Sequence, residues 1–283
     1  MSPAQTAQQQ TTYKVRVGDA AINVVEWGNG PTAILLHGNP DSGMMWEGIG
    51  KRLEARVRCI APDLPGFGHS EVPTEYEPSL DGMARFVEQL LIAADIKPPV
   101  DLIAHDFGGR FAFAWAVKHS GYVRRIVAIN TIFFSDYHWH FWARVWRTRV
   151  LGELSMALMN RPMFGRELRR GSGTRMPREH IDRSWALITP RMKREVLRLY
   201  RAADPLTFKG WEDELLALTA TKPTLVIWGD KDPYISSRYA TRFNARNVMH
   251  LQEIAHWPPV EAPAACAEAI LKFFSEAPDR LSP

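Results

Sequence analysis

Four acidic or basic side chains stand where this 283-residue chain could do chemistry. Asp106 interrupts DLIAHDFGGR (residues 101 to 110), between an apolar run and a pair of glycines. Asp230 and Asp232 follow a second apolar run in TLVIWGDKDP, and His256 lies in IAHWPPVEAP. Asp106-Phe107-Gly108 spells the metal-binding triplet of protein kinases, but its surroundings reject that reading. No GxGxxG loop precedes it and no HRD-type loop exists in the chain. The alternative is a strand running into a sharp turn that holds a carboxylate at its tip, with a helix starting directly behind it to stabilise the charge. The bland version of that turn is a simple N-cap aspartate. If Asp106 is instead a nucleophile, its atom type selects the substrate. A serine attacking saturated carbon would leave an ether that water does not cleave under mild conditions. A carboxylate leaves an ester, whose carbonyl a neighbouring base can expose to water. An aspartate in that role points to epoxides or alkyl halides and away from ordinary esterase chemistry.

The elements that would position these groups alternate along the chain. AILLHG (33 to 38), VRCIAPDL (57 to 64), VDLIAHD (100 to 106), RIVAINT (125 to 131), TLVIWGD (224 to 230) and VMHLQEIAH (248 to 256) are predicted strands. Their unbroken hydrophobicity suits a sheet covered on both faces. LDGMARFVEQLLIAADI, GRFAFAWAVKHS and APAACAEAILKFFSEA have helical spacing. Strands alternating with helices argue for an α/β fold, a mostly parallel, doubly wound sheet. Residues 133 to 213 break the rhythm. They hold helical, Trp- and Arg-rich sequence without a convincing strand, and read as a helical cap inserted into a core of residues 13 to 132 and 214 to 283. Trp139, Trp142 and Trp146 fall on one helix face, a stripe that packing alone would explain. Residues 1 to 12 read as a loose polar tail.

Composition bounds the rest. Hydrophobic residues make up 46% and charged residues 23%, with a net charge of +4 too modest to imply nucleic acid. Residues 131 to 213 carry 16 Lys/Arg against 9 Asp/Glu, the pattern of a solvated basic helical surface. Cys59 and Cys266 stand far apart in apolar contexts and read as buried free thiols in a reducing cytoplasm. No secretory leader and no membrane-length apolar run is evident. HExxH, clustered Cys/His and phosphate-cradling glycines are missing, so neither a metal nor an organic cofactor is expected.

Ala104-His105-Asp106-Phe107-Gly108 has the small-x-nucleophile-x-small pattern of a nucleophile elbow, with Asp106 where serine usually stands. His37-Gly38-Asn39-Pro40 is similar to an HGxP oxyanion loop, Asp63 to Ser70 to a DxxGxGxS turn, and Gly229 to Asp232 to a GxxD acid loop. With His256 last, the chain from about Tyr13 to Phe274 resembles the α/β-hydrolase superfamily. The resemblance is to its aspartate-nucleophile branch of epoxide hydrolases, haloalkane dehalogenases and fluoroacetate dehalogenases. It implies Asp106 as nucleophile, His256 as base, Asp232 in preference to Asp230 as the orienting acid, and backbone N–H groups of Asn39 and Phe107 as the oxyanion hole. Some relatives place the acid one strand earlier, and Asn130 occupies that position here.

The same resemblance implies two competing substrates. Epoxide hydrolases carry two cap tyrosines as proton donors, matched by Tyr137 and Tyr200, either of which could instead be packing. Several haloalkane dehalogenases use Asn39's counterpart and a tryptophan directly after the nucleophile. Phe107 stands there instead and has no N–H to offer. Fluoroacetate dehalogenases have a His-Trp-Tyr halide site, matched by His138, Trp139 and Tyr200, and two arginines on the substrate carboxylate. Arg110 matches the second arginine and Phe107 replaces the first. An epoxide hydrolase acting on a small apolar or aromatic electrophile is the first expectation, and a dehalogenase the second. A ligand-binding receptor built on a degenerate hydrolase is the alternative from another class.

Overall fold

The computed structural model describes residues 10 to 172 and 176 to 276. Residues 1 to 9 of the expected tail lie outside them. Eight strands form one sheet in the order β1-β2-β4-β3-β5-β6-β7-β8. Strands β3 (Thr32–Leu36), β4 (Arg58–Pro62), β5 (Val100–His105), β6 (Val123–Ile129), β7 (Thr224–Gly229) and β8 (Asn247–Leu251) are parallel. The six predicted strands are these six. Every residue of β5 and of β7 is buried, the condition under which a strand reads as an unbroken apolar run.

Two further strands lie outside the predicted six. β1 (Thr11–Val17) and β2 (Ala20–Trp27) form an antiparallel hairpin that extends the sheet beyond β4. Residues 11 and 12, read as tail, therefore belong to the sheet. β1 is mostly exposed along its length, so its apolar signal is weak.

Helices α1 (Glu47–Leu53) and α11 (Pro263–Glu276) pack together over one face, joined by the short α10 (Pro258–Glu261). Helices α2 (Leu80–Ala93) and α3 (Gly108–Lys118) cover the other. Each face buries its own apolar cluster. Between β6 and β7 the chain runs through α4 (Phe141–Arg147), α5 (Leu151–Leu158), α6 (Arg161–Ser172), α7 (Arg178–Ala186), α8 (Pro190–Ala202) and α9 (Trp211–Thr221). α9 packs on α3 and so rejoins the sheet layer. Cys59 and Cys266 are buried free thiols. Among the described residues, no helix is long and apolar enough to cross a membrane.

Close approach of strand ends to α3 explains the glycines of the elbow. A Cβ at Gly108 would lie 2.1 Å from the carbonyl oxygen of Leu36, and one at Gly38 would lie 2.4 Å from the Asp106 side chain. Gly108→Ala must therefore displace backbone, and a loss of about 1–3 kcal/mol is expected. Gly121→Ala meets nothing within 4 Å and should stay within about 0.5 kcal/mol of the parent. Urea unfolding of the two variants beside the parent measures both.

Candidate active site

Asp106 follows β5 directly and adopts a left-handed backbone, φ 48°. An aspartate tolerates that conformation better than most residues, and it turns the carboxylate away from the sheet into the space under the cap. The turn is held from behind: Thr131 Oγ1 donates to the Asp106 carbonyl at 2.7 Å. In front, the Asn39 N–H donates to Asp106 Oδ2 at 2.9 Å, and the Phe107 N–H also reaches the carboxylate. Burial pushes the Asp106 pKa up, while His256 and those two backbone donors oppose the rise.

Asn39 is steadied by the hydrogen-bonded loops around it. Asp63 Oδ1 accepts from the Gly43 N–H at 2.7 Å, and its Oδ2 accepts from Asn23 Nδ2 and the His69 N–H. His37 Nε2 accepts from the Leu64 N–H at 2.9 Å. The DxxGxGxS turn thus acts as scaffold for the HGNP loop.

His256 is buried, and its Nδ1 donates to Asp232 Oδ2 at 2.7 Å. That leaves Nε2 as the unprotonated ring nitrogen, 3.9 Å from Asp106 Oδ1. Burial by itself would lower the His256 pKa, but Asp232 outweighs it and the net direction is up. Asp232 moves the other way: burial would raise it, and His256, Asn130 Nδ2 and the Ile235 N–H bring it below the usual range. Asp230 is elsewhere, paired with His250 at 2.7 Å. Asn130, at the end of β6, donates to Asp232 Oδ2 at 2.8 Å and to the Gly229 carbonyl, and accepts from the Gly229 N–H. The side chain at the earlier acid position therefore orients the acid that comes later. His105, beside Asp106 in sequence, donates from Nε2 to the His256 carbonyl at 2.7 Å.

A cavity of about 120 Å³ lies over Asp106. Asn39, Phe107, Arg110, Tyr137, Trp139, Tyr200 and His256 all line it. Tyr200 Oη lies 3.5 Å from Asn39 Nδ2, and its ring packs on Phe107 with centroids 4.8 Å apart. Tyr137 lines the cavity too, but its hydroxyl donates to the Tyr234 carbonyl at 3.1 Å. Arg110 is buried over the Phe208 ring, and its Nε and Nη1 have no hydrogen-bond partner.

His138 corrects the sequence reading. It is exposed, bonded to the Asp136 carbonyl, and lines no part of the cavity. His140 does, with its ring 4.9 Å from Tyr234, and its Nδ1 accepts from the Ala143 N–H to cap α4. Both histidines lie in the irregular stretch before α4, where no periodicity tells which one faces inward. Trp139, expected at the site, precedes α4, and Trp142 and Trp146, which packing alone would explain, join it. Trp139, Trp142 and Trp146 all line the cavity, and each indole N–H lacks a partner.

One buried cluster ties the cap to both reactive loops. Asp41, two residues after Asn39, accepts from Ser184 Oγ on α7, from Trp257 Nε1 beside His256, and contacts His180 Nε2 at 3.0 Å. Burial alone would raise the Asp41 pKa, but His180 more than offsets it and holds it at about 2. The unfolded value is about 3.9. The stabilisation is therefore complete above the unfolded value and lost as pH falls through the folded one. Asp41→Ala strands three buried donors, and a loss of about 3–5 kcal/mol is expected, against about 1 kcal/mol for Ser184→Ala. Urea titration of each variant tests that ratio.

The family model for the alpha/beta hydrolase fold matches residues 31–159. Haloalkane dehalogenase 2 of Mycobacterium tuberculosis is 29% identical over 270 residues, 89% of this chain and 91% of the relative. The crystal structure of an ancestral haloalkane dehalogenase superposes with a TM-score of 0.79 at 26% identity, covering 94% of this chain and 99% of that one. A ligand-free epoxide hydrolase superposes with a TM-score of 0.78 at 21% identity, covering 95% and 99%, a likeness of fold. The chain thus has the α/β-hydrolase fold, and along most of its length its sequence is similar to haloalkane dehalogenases.

Proposed function

We propose that this hydrolase opens epoxides through an ester on Asp106 and releases vicinal diols. The observation that carries the reading is the Tyr200 hydroxyl, held beside Asn39 over the carboxylate, with Phe107 beneath it. Burial and the Asp106 charge raise the Tyr200 pKa well above the ordinary phenol value, so the hydroxyl keeps its proton and can give it to a leaving alkoxide. The Phe107 side chain has no polar hydrogen, and the wall beside the nucleophile suits a neutral oxirane better than a halide ion.

The steps follow from the two carboxylate oxygens. Oδ2 is engaged by the Asn39 N–H, so Oδ1 is the atom that attacks the ring carbon from the back. The C–O bond breaks as Tyr200 protonates the departing oxygen. Oδ2 becomes the ester carbonyl, already in the donor pair that will hold the tetrahedral oxyanion. His256 Nε2 takes a proton from a water in the 3.9 Å gap, and the resulting hydroxide adds to the ester carbon. Asp232 stabilises the imidazolium. Collapse breaks the ester C–O bond, the departing alkoxide takes the imidazolium proton to complete the diol, and the Asp106 carboxyl so formed returns its proton to the Tyr200 phenolate.

A dehalogenase is the second reading. Asn39 Nδ2 and the unpartnered indole N–H of Trp139 could cradle a halide in the same space, and Arg110 could take the carboxylate of a haloacetate.

His256→Ala should form the ester without hydrolysing it. Intact mass after incubation with a styrene-type epoxide, a bromoalkane or a haloacetate separates the readings. A gain of the whole epoxide, absent when Asp106 is also replaced, is expected. A gain of the organic group without its halogen would instead make the protein a dehalogenase, and no adduct at all would remove Asp106 as nucleophile. Tyr200→Phe is expected to lose roughly 10²–10⁴-fold in epoxide turnover with an unchanged fold by circular dichroism. The pH profile carries a further expectation. The base must be neutral, so single-turnover ester hydrolysis rises with pH through the His256 pKa, above its ordinary 6.5. In Asp232→Asn the raising charge is gone and burial remains, so the midpoint should move down and the plateau fall.

A further inference from the structure

Two cap helices give the cavity a direction. α8 reaches the reacting carboxylate with its last turn, through Tyr200. Its other cavity-lining apolar residues are Val196 and Met192, at steps of four residues along one face. Eight residues of helix span about 12 Å. α6 ends at the same place: the Gly171 carbonyl accepts from the His256 N–H at 2.8 Å, and a Cβ there would lie 2.4 Å from the Trp257 ring. Leu168, Phe164 and Met163 line the cavity back along α6, again over about 12 Å. Leu168 and Phe164 are 2% and 5% exposed, whereas Met163 at the outer end is 42% exposed, so the cavity opens there.

The slot between reacting centre and mouth is apolar in its chemistry as well as its residue names. Glu167 Oε1 is occupied by Tyr234 Oη at 2.9 Å, Lys193 Nζ by the Met156 carbonyl at 2.6 Å, and Ser155 Oγ by the Gly152 carbonyl at 2.7 Å. Met156, Met159, Met163 and Met192 supply much of the lining. Unbranched thioethers adjust to a chain that bends, where a rigid aromatic slot would select a flat ring.

Resting on the epoxide reading above, we propose that the natural substrate class is an oxirane at or near the end of a linear hydrocarbon chain. The ring sits at Asp106 and Tyr200, and the chain runs out between α6 and α8 toward Met163. The compact aryl epoxides that a Trp-rich cap suggests fill only the inner end.

The test is kcat/KM for the terminal epoxides from epoxybutane to epoxydodecane, with styrene oxide alongside. Each methylene moved from water into the slot is expected to raise kcat/KM about fourfold, until the chain outgrows the slot and the rise stops. Styrene oxide should fall below the longer members. Turnover that is indifferent to chain length, or best with styrene oxide, overturns the linear-chain assignment while leaving the epoxide reading intact. Turnover of no epoxide at any length overturns that reading itself, and this assignment with it. Val196→Trp, one turn outward from Tyr200, is expected to move the break to shorter chains. An unmoved break in a variant that folds normally by circular dichroism overturns the placement of the chain along α8.

Discussion

A carboxylate placed under a closed cap has to be held by donors, and the N–H groups of Asn39 and Phe107 at Asp106 are the contact on which the rest of the site depends. Burying an ionised carboxylate without partners would cost more than a domain of this size can offset. Those two N–H groups converge only because β3 and β5 are neighbours in the sheet, and because the chain turns sharply at the end of each. The positive φ of Asp106, the bare α-carbons of Gly38 and Gly108 and the Thr131 bond behind the elbow all serve that convergence.

The second constraint is the direction of the His256 ring. A histidine acts as a base from Nε2 only if Nδ1 keeps its hydrogen, and Asp232 ensures that at 2.7 Å. Asp232 is itself held from three sides, by Asn130 and by the N–H groups of Tyr234 and Ile235. His105 fixes the backbone of the same loop from below. Burial sharpens each of these bonds, since charges and dipoles act more strongly where water is excluded. The Asp41 cluster extends the arrangement to the cap, so the HGNP loop, the His256 loop and α7 share one buried polar junction.

Above this junction the cap supplies donors and apolar walls. Tyr200, the unpartnered indole N–H groups of Trp139, Trp142 and Trp146, and Arg110 line the same cavity as Asp106. A pocket so rich in donors favours a reacting group that accepts hydrogen bonds and develops negative charge as it leaves.

Local pattern determined much of this. The six parallel strands were legible because burial on both faces leaves an unbroken apolar run, and the elbow and the HGNP loop because each sits at a strand end with small residues, while His256 lies in the loop after the last strand. β1 was not, since a half-exposed edge strand carries little apolar signal. The choice of Asp232 over Asp230 is legible as spacing, but only the fold brings the one to His256 and sends the other to His250. Tertiary structure alone decided the cap. His138 and His140 stand two residues apart in an irregular stretch, and the tryptophan spacing is the same whether the rings pack or line a cavity. What settles such questions is which neighbours take up each N–H and how two helices distant in sequence meet over Asp106, and those contacts are long-range.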